Sequence, residues 1–159
     1  MSEPAFKPEA ARDGCVVGHG VDLVEVDRIE RMLSDHGESF VDRCFTAVER
    51  DWADRGGGRR AERLAARFAC KEAVLKAIGT GWAGGTTWQD VEVRRDPNGR
   101  PYLNVQGRSA ELAADLGITN WHVSLSHTAG HAMASVIGCG PGPGHRDPRH
   151  PPRVPEQAS

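Results

Sequence analysis

The stretch RAERLAARFACKEAVLKAI at residues 60–78 decides the fold, because it is the strongest helix signal in the chain. It is rich in Ala, Leu, Glu, Lys and Arg, which favour helices, and Gly79 follows it as a helix end. Its apolar side chains recur at steps of three and four, and they are Ala61, Leu64, Ala65, Phe68 and Leu75. We therefore expect a long helix with one face against the core.

Shorter segments on both sides of this helix predict the remaining elements. Before it we expect a strand at residues 15–24, a helix at 26–37 ended by Gly37, a turn at 40–45, and a helix with a capping box of Thr46 and Glu49. After it we expect a hairpin around Asp96-Pro97-Asn98-Gly99, a short helix at 109–117, and strands at 121–128 and 131–138. Strands and helices do not alternate regularly. The pattern therefore predicts an α+β fold, a compact single domain with a mainly antiparallel sheet packed on the long helix.

Length and composition limit the domain organisation. A chain of 159 residues suits one domain, which we place at residues 15–138. Residues 1–14 are polar and contain two prolines, which predicts a flexible N-terminal arm. Residues 139–159 are dominated by proline and glycine and predict a disordered tail, because such a segment buries too little surface to offset its ordering entropy.

Charge and cysteine content exclude several classes of protein. A formal net charge of −2 gives no general attraction to nucleic acid or to an anionic membrane, so we expect neither as a partner. The four cysteines form no C-x-x-C pair, which argues against a zinc knuckle or a dithiol redox motif and suggests a reducing compartment. There is no signal-peptide pattern and no apolar stretch of membrane-spanning length. We expect a cytoplasmic protein.

Two carboxylates lie where apolar packing does not call for them. Glu72 falls on the apolar stripe of the long helix, where a carboxylate is costly unless it is paired or binds a metal. Asp22 interrupts a strand-forming run. A buried salt bridge would explain Glu72, and an N-cap would explain Asp22. Together, with cations nearby, they suggest a site for a hard cation such as Mg²⁺, which takes one or two protein carboxylates and substrate phosphate oxygens.

Cations share the long helix with Glu72. Arg67, Lys71 and Lys76 form a solvated face or bind a diphosphate, and Lys76 lies four residues after Glu72, at the spacing of an intrahelical ion pair. His127 follows Ser126 in the segment SLSH, but adjacent strand residues point to opposite faces, which disfavours a serine nucleophile with a histidine base. His127 is either a hydrogen-bond donor to an anion or a structural histidine at a strand end.

Four blocks in order resemble the holo-acyl-carrier-protein synthases, a family of the 4′-phosphopantetheinyl transferase superfamily. They are GHGVDLVEVDRIER at 18–31, FT-x-x-E at 45–49, RFACKEAVLKAIGTG at 67–81 and SLSHT at 124–128, with the hairpin WQDVEV…NGRPYLNVQG between the last two. The resemblance covers nearly all of residues 16–138. It implies a 4′-phosphopantetheinyl transferase-like fold and an enzyme that moves phosphopantetheine from coenzyme A to a serine of apo-acyl carrier protein, in fatty acid or polyketide biosynthesis. The implied by-product is adenosine 3′,5′-bisphosphate.

The resemblance also implies a cofactor, partners and site residues. It implies Mg²⁺ as cofactor, coenzyme A as co-substrate, and a homotrimer with active sites between subunits. Asp22 and Glu72 match the metal-binding residues, Lys76 matches a lysine on the pyrophosphate, and Glu72 and Lys76 are the implied catalytic pair. The implied substrate-binding residues, besides Lys76, are His127 at the coenzyme A site, Arg67 in the R-F-A block, and Arg28 for acidic residues of the carrier protein.

The sequence departs from the family at two positions, and it leaves rival functions open. His19 stands where many members have an apolar residue, and Cys70 stands where alanine is usual. A non-catalytic module that binds coenzyme A, or a scaffold subunit tethered by the tail, would share most of these features. The sequence does not name the carrier protein or the general base.

Overall fold

The computed structural model describes residues 15–82, 84–128 and 130–141. The predicted arm at residues 1–14 lies outside the described residues, and so does the predicted tail from residue 142 onward. The elements, in chain order, are β1 (Cys15–Glu25), α1 (Val26–Cys44), α2 (Ala47–Asp54), α3 (Arg60–Ile78), β2 (Val91–Arg95), β3 (Pro101–Val105), α4 (Gly107–Asp115), β4 (Asn120–Thr128) and β5 (His131–Gly140).

Helix α3 has the predicted bounds and lies at the centre of the molecule. Gly79 ends it in the left-handed conformation, with φ of 84°. Strands β1 and β5 pack on it, as do helices α1 and α2. Between Leu64 and Ile78 every residue except Glu72 and Lys76 is buried. The prediction of a single apolar stripe was therefore too narrow, because neighbouring elements enclose the helix on almost all sides.

The strands form antiparallel sheets, as predicted. One sheet has the order β1-β5-β4, and β2 and β3 form a separate hairpin. In the larger sheet Asp22 is paired with Ala134. Strand β5 continues through Cys139 and Gly140, two residues past the predicted end of the domain, because Gly140 pairs with Cys15 and the Cys139 carbonyl accepts from Thr119 N at 2.8 Å.

Helix α1 is longer than the sequence predicts. Gly37 does break the helical conformation, with φ of 55° and ψ of −140°, but helix resumes beyond this kink and runs to Cys44. The predicted turn at residues 40–45 was therefore wrong. Phe40, Val41 and Cys44 are buried at helical spacing, so packing against the core stabilises this added segment.

The capping box at the start of α2 is confirmed. Thr46 Oγ1 accepts from Glu49 N, and the Glu49 carboxylate accepts from Thr46 N at 3.0 Å. No helix in the described part of the chain is long and apolar enough to cross a membrane.

Candidate active site

Two glycines of β1 allow this strand to lie directly against α3. A Cβ at Gly18 would come within 2.2 Å of the Ala77 carbonyl oxygen, and one at Gly20 within 1.8 Å of the Ala73 carbonyl oxygen. No side chain fits in that space. Because alternate strand residues share a face, Asp22 follows Gly18 and Gly20 on the side of the sheet that meets the helix.

Asp22 is bound to the helix by a lysine. Lys76 Nζ lies 2.7 Å from Asp22 Oδ1 and donates to the Val21 carbonyl at 3.1 Å. The expected intrahelical pair of Lys76 with Glu72 is therefore replaced by a pair with the strand. The alternative role of Asp22 as an N-cap was wrong, because Glu25 occupies the N-cap position of α1.

Glu72 is half-buried and accepts a hydrogen bond from a neutral donor. Trp82 Nε1 donates to Glu72 Oε1 at 3.2 Å. The alternative of a buried salt bridge at Glu72 finds no such pair among the residues that the structure describes. Glu72 and Lys76 are four residues apart and share one helix face. Since Lys76 Nζ contacts Asp22, the strand carboxylate is tied to the helix face that carries Glu72.

The donor set of this region fits a hard cation. In the described chain, hydrogen bonds reach one oxygen of each carboxylate, Asp22 Oδ1 and Glu72 Oε1. Carboxylate oxygens are the ligands that Mg²⁺ takes, usually one or two per ion, with water and phosphate oxygens completing the shell. No group of three or more His, Cys, Asp or Glu side chains in the described ranges is arranged to hold a metal ion. A site here would therefore depend on these two carboxylates and on oxygens from a substrate.

Lys71 differs from the sequence interpretation of a cationic surface residue. It is fully buried, and its Nζ lies 2.8 Å from Glu49 Oε2. It also donates to the Trp88 carbonyl at 2.9 Å and to the Val91 carbonyl. This pair links α2, α3 and β2 inside the core, so Lys71 is not available to a diphosphate.

Arg67 is buried in a recess that Trp52, Arg63, Arg67 and Arg95 form together, which we call the basic recess. Only 2% of its surface is exposed, and its Nε is buried without a hydrogen-bond partner. Three guanidinium groups surround the Trp52 ring, with Cζ-to-centroid distances of 4.8 Å for Arg63, 5.7 Å for Arg67 and 5.0 Å for Arg95. None of these three arginines makes an ion pair within the described residues. Burial, and then repulsion from Arg95 and Arg63, lower the pKa of Arg67 to about 10 although Glu49 acts in the opposite direction.

His127 lies at the same recess as Arg67. The two residues line a cavity of about 140 Å³. Trp52, Arg67 and Arg95 line both this cavity and a larger one of about 470 Å³ between α2 and the β2–β3 hairpin. His127 Nδ1 is 2.5 Å from Glu62 Oε1. Unpaired guanidinium groups that crowd one ring are stabilised by an anion, so this recess suits phosphate groups.

Arg28 lies apart from the recess, on the exposed side of α1. Its Cζ is 5.5 Å from the centroid of the Phe68 ring, and Phe68 is one helical turn before Glu72. The structure therefore places Arg28 on the side of α3 that carries Glu72.

The predicted site residues form two groups within one chain. Lys76 pairs with Asp22 where β1 meets α3, and Glu72 lies on the same helix face as Lys76, whereas Arg67 and His127 line the basic recess. Arg67 and Glu72 are five residues apart on α3, which is about 140° around the helix axis. The two groups therefore face different sides of the helix.

Sequence reasoning missed Trp82, Trp52 and Glu62. Trp82 comes shortly after Gly79, which the sequence indicates only as a helix end, and its contact with Glu72 depends on the path of the loop. The capping residue Glu49 gave no local sign that it also pairs with Lys71. Trp52 had one available signal, which is the density of arginines within fifteen residues of it.

The two departures from the family occupy different surroundings. Cys70 is fully buried, and this burial raises the pKa of its thiol to about 12, so it remains a neutral, inert group of the core. His19 is exposed on the sheet, where its Nε2 lies 3.2 Å from Ser135 Oγ. The His19 side chain points to the sheet face opposite Gly18 and Gly20, and thus away from Asp22 and helix α3.

Comparisons with known proteins identify the family. The profile described as "4′-phosphopantetheinyl transferase superfamily" matches residues 18–135. Holo-[acyl-carrier-protein] synthases of Koribacter versatilis and Solibacter usitatus are 46% and 48% identical to the chain over 122 residues, 77% of this chain and 97% of each relative.

Solved structures agree with the sequence relatives. The crystal structure of holo-[acyl-carrier-protein] synthase from Neisseria meningitidis matches with a TM-score of 0.69 and 30% identity, covering 78% of this chain and 98% of that one. The Bacillus anthracis holo-(acyl-carrier-protein) synthase in complex with CoA (3′,5′-ADP) matches with a TM-score of 0.63 and 38% identity, covering 79% and 97%. With a family profile over most of its length and close relatives matched almost end to end, the chain belongs to the holo-acyl-carrier-protein synthase family of the 4′-phosphopantetheinyl transferase superfamily.

Proposed function

We propose that this protein transfers the 4′-phosphopantetheine group of coenzyme A to a serine of apo-acyl carrier protein, which yields the holo-carrier and adenosine 3′,5′-bisphosphate. The observation that carries the proposal is the ion pair of Lys76 with Asp22 at the contact of β1 with α3, on the helix face that carries Glu72. Relatives named for this activity, one of them solved with CoA (3′,5′-ADP), support it. Its setting would be the activation of carrier proteins for fatty acid or polyketide biosynthesis in the cytoplasm.

The reaction is an in-line displacement at phosphorus. The serine oxygen forms a bond to the β-phosphorus of coenzyme A, the bond from that phosphorus to the bridging oxygen breaks, and adenosine 3′,5′-bisphosphate leaves with the electron pair. The serine proton passes to Glu72 or to solvent. In such a reaction charge spreads over phosphate oxygens, so positioning and electrostatics supply most of the rate. Lys76, which is exposed and cationic, would stabilise the charge that develops on the departing 5′-phosphate of adenosine 3′,5′-bisphosphate.

Asp22 and Glu72 are the residues that would hold Mg²⁺. When bound, the ion would neutralise charge on the pyrophosphate of coenzyme A. Lys76 already binds Asp22, so the same residues would collect a cation, an ammonium group and a phosphate chain in one place. This role requires both carboxylates to be ionised.

The basic recess would bind phosphate of coenzyme A away from the reacting bond. Arg67 and His127 line it, and the unpartnered Nε of Arg67 has hydrogen-bonding capacity that no described residue uses. Phosphate is the anion that suits a cluster of guanidinium groups. The recess would thereby orient the adenosine half of the substrate.

Self-association would bring the two groups of site residues together, and we propose the homotrimer implied by the family resemblance. On one chain the basic recess lies on a different side of α3 from the set of Asp22, Glu72 and Lys76. The sheet face opposite α3 exposes Val21, Leu23 and Met133, of which Leu23 is 61% exposed. Adjacent exposed apolar side chains of this kind indicate a protein interface. Sedimentation of the wild type and of Leu23→Arg tests this: the variant should dissociate, and a monomeric wild type would contradict it.

Arg28 would dock the carrier protein. It is an exposed cation on the same side of the molecule as Glu72, and charge complementarity to an acidic partner acts mainly on encounter. We expect Arg28→Glu to raise the KM for the carrier about tenfold with little change in kcat. An unchanged KM would reject this docking face.

Mass spectrometry of an apo-acyl carrier protein incubated with coenzyme A, Mg²⁺ and this enzyme tests the whole proposal. The carrier should gain the mass of phosphopantetheine. Glu72→Gln should abolish the gain and leave the unfolding midpoint unchanged, whereas the matched control Glu111→Gln, at an exposed ion pair on α4, should transfer normally. Full activity of Glu72→Gln would remove the proposed role of Glu72, and coenzyme A binding without transfer would favour a non-catalytic module.

A further inference from the structure

We propose that Trp82 is a positioning residue that fixes one carboxylate oxygen of Glu72 and leaves the other directed to the cation. The contact behind the proposal is the hydrogen bond from Trp82 Nε1 to Glu72 Oε1, 3.2 Å long. The inference rests on the proposed function, because it deepens the role given there to Glu72. Neither the sequence motifs nor the family resemblance assigns any role to Trp82.

The loop after α3 brings this indole back over the helix. Gly79 and Gly81 have φ values of 84° and 56°, in the left-handed region that residues with a side chain rarely adopt. These two glycines allow the chain to reverse direction directly after the helix ends. Residue 82 can therefore contact residue 72, which lies more than one turn before the end of α3.

Aromatic packing anchors the indole in this position. The Trp82 and Trp88 ring centroids are 3.5 Å apart, and Trp88 in turn stacks on Phe68 with centroids 4.5 Å apart and an interplanar angle of 27°. Phe68 belongs to the buried core of α3. A row of three rings thus connects the donor on the loop to the core, and the donor is not a freely rotating surface group.

The chemistry of the donor explains why tryptophan suits this position. An indole N–H donates one hydrogen bond, accepts none and carries no charge. It can hold Glu72 Oε1 without neutralising the carboxylate, whereas a lysine or arginine would compete with a cation for the same charge. The nearest lysine on this face, Lys76, pairs with Asp22 instead.

Trp82 therefore prepares Glu72 before the cation arrives. A carboxylate on a long side chain loses rotamer freedom when it binds an ion, and a fixed oxygen removes part of that cost beforehand. Residues that orient a metal ligand in this way typically change metal affinity 10–100-fold when they are replaced.

The test measures Mn²⁺ binding by electron paramagnetic resonance in the presence of saturating coenzyme A. Trp82→Phe keeps a ring for stacking on Trp88 but loses the N–H, and we expect it to raise the Kd for Mn²⁺ about tenfold. Its transfer rate should fall at limiting Mg²⁺ and recover at saturating Mg²⁺, which general damage to the fold would not allow. The control Trp121→Phe, on strand β4, should bind Mn²⁺ like the wild type.

Each outcome separates this inference from the proposed function. A Trp82→Phe variant with wild-type Mn²⁺ affinity, or a rate loss that excess Mg²⁺ does not restore, would overturn the positioning role. Wild-type protein that transfers phosphopantetheine but binds no Mn²⁺ would overturn it too, and the transfer activity would stand. Wild-type protein that binds Mn²⁺ through Glu72 without any transfer would overturn the proposed function alone.

Discussion

Two lysines of helix α3 bind carboxylates in opposite surroundings. Lys71 pairs with Glu49 at 2.8 Å, and both side chains are fully buried. Lys76 pairs with Asp22 at 2.7 Å, with 53% of the lysine side chain and 16% of the aspartate side chain exposed. The two pairs have the same chemistry and lie five residues apart on one helix.

The two pairs differ in how many of their hydrogen-bonding groups remain available to a ligand. Lys71 also donates to the carbonyls of Trp88 and Val91, and the Glu49 carboxylate accepts from the backbone N–H groups of Thr46 and Val93. A saturated and buried pair of this kind can only hold elements together. Lys76 and Asp22 keep an exposed ammonium group and a second carboxylate oxygen, which a ligand can use. Burial and saturation therefore separate the structural pair from the pair that we propose for catalysis.

Breaking the buried pair should have the largest effect. Lys71→Met leaves the Glu49 carboxylate buried without its cation, and we expect a loss of about 3–5 kcal/mol in the free energy of unfolding. Urea denaturation measures it. The double variant Glu49→Leu/Lys71→Met should lose less than this, because it buries no unpaired charge. A stable Lys71→Met would show that the pair does not hold α2, α3 and β2 together.

Breaking the exposed pair should spare the fold and damage the chemistry. We expect Lys76→Met to lower kcat about 100-fold or more, as for the loss of one preorganised cation or donor at a developing charge. The free energy of unfolding should change by less than about 1 kcal/mol, since exposed ion pairs contribute little. Steady-state kinetics beside urea denaturation checks both. A Lys76→Met variant with a large loss in the free energy of unfolding but a wild-type kcat would contradict this assignment of roles to the two lysines.

Moving strand β1 tests how the proposed catalytic pair of Lys76 and Asp22 is positioned. A Cβ added at Gly20 would meet the Ala73 carbonyl, so Gly20→Ala should push β1 away from α3 and cost about 1–3 kcal/mol. Transfer should fall as well, because Asp22 moves with its strand. Gly58→Ala is the matched control, since nothing lies within 4 Å of a Cβ there. Equal stability and activity of the two variants would contradict the close approach.

A third buried carboxylate, that of Asp90, should make stability depend on acid pH, and we expect this effect to be the smallest of the four. Burial alone would raise the pKa of Asp90, but hydrogen bonds from Thr87 and Ser109 lower it below its ordinary value. The stability that Asp90 contributes is therefore complete above its ordinary pKa and is lost as the pH falls through the lower pKa of the folded protein.

Asp90→Asn removes this titration. The urea midpoint of Asp90→Asn should change less than that of the wild type between pH 6 and about 3, an interval that begins above the ordinary pKa of aspartate and ends below it. Parallel curves would contradict the assignment. In contrast to Glu49, Asp90 would then be a carboxylate held by neutral donors alone.

The sequence predicted what local signals determine. Helix α3, the capping box of Thr46 and Glu49, and the hairpin depend on neighbouring residues, and all are found where expected. Gly37 gave a correct local signal for a break, but it could not show that burial of Phe40 would restart the helix.

The candidate site was predictable as a set of residue types and not as an arrangement. Asp22 and Glu72 were noticeable because a carboxylate is unusual in an apolar element. The burial of Lys71 was not predictable, because its partner Glu49 lies on another helix. The capping box already accounted for Glu49, so there was no reason in the sequence to assign it a second partner. The role of Trp82 depends on the return path of a glycine loop, and no periodicity describes such a path.

The pairing of β1 with β5 has a consequence for the newborn chain. Strand β1 leaves the ribosome before every other element described, yet its sheet partner is the last strand described. Until β5 emerges, Asp22 belongs to a strand that lacks its hydrogen-bonding neighbour, and contacts so distant in sequence form late. The proposed cation site should therefore be absent until β5 has emerged, and a ribosome-bound chain stalled before residue 131 should be unable to modify a carrier protein.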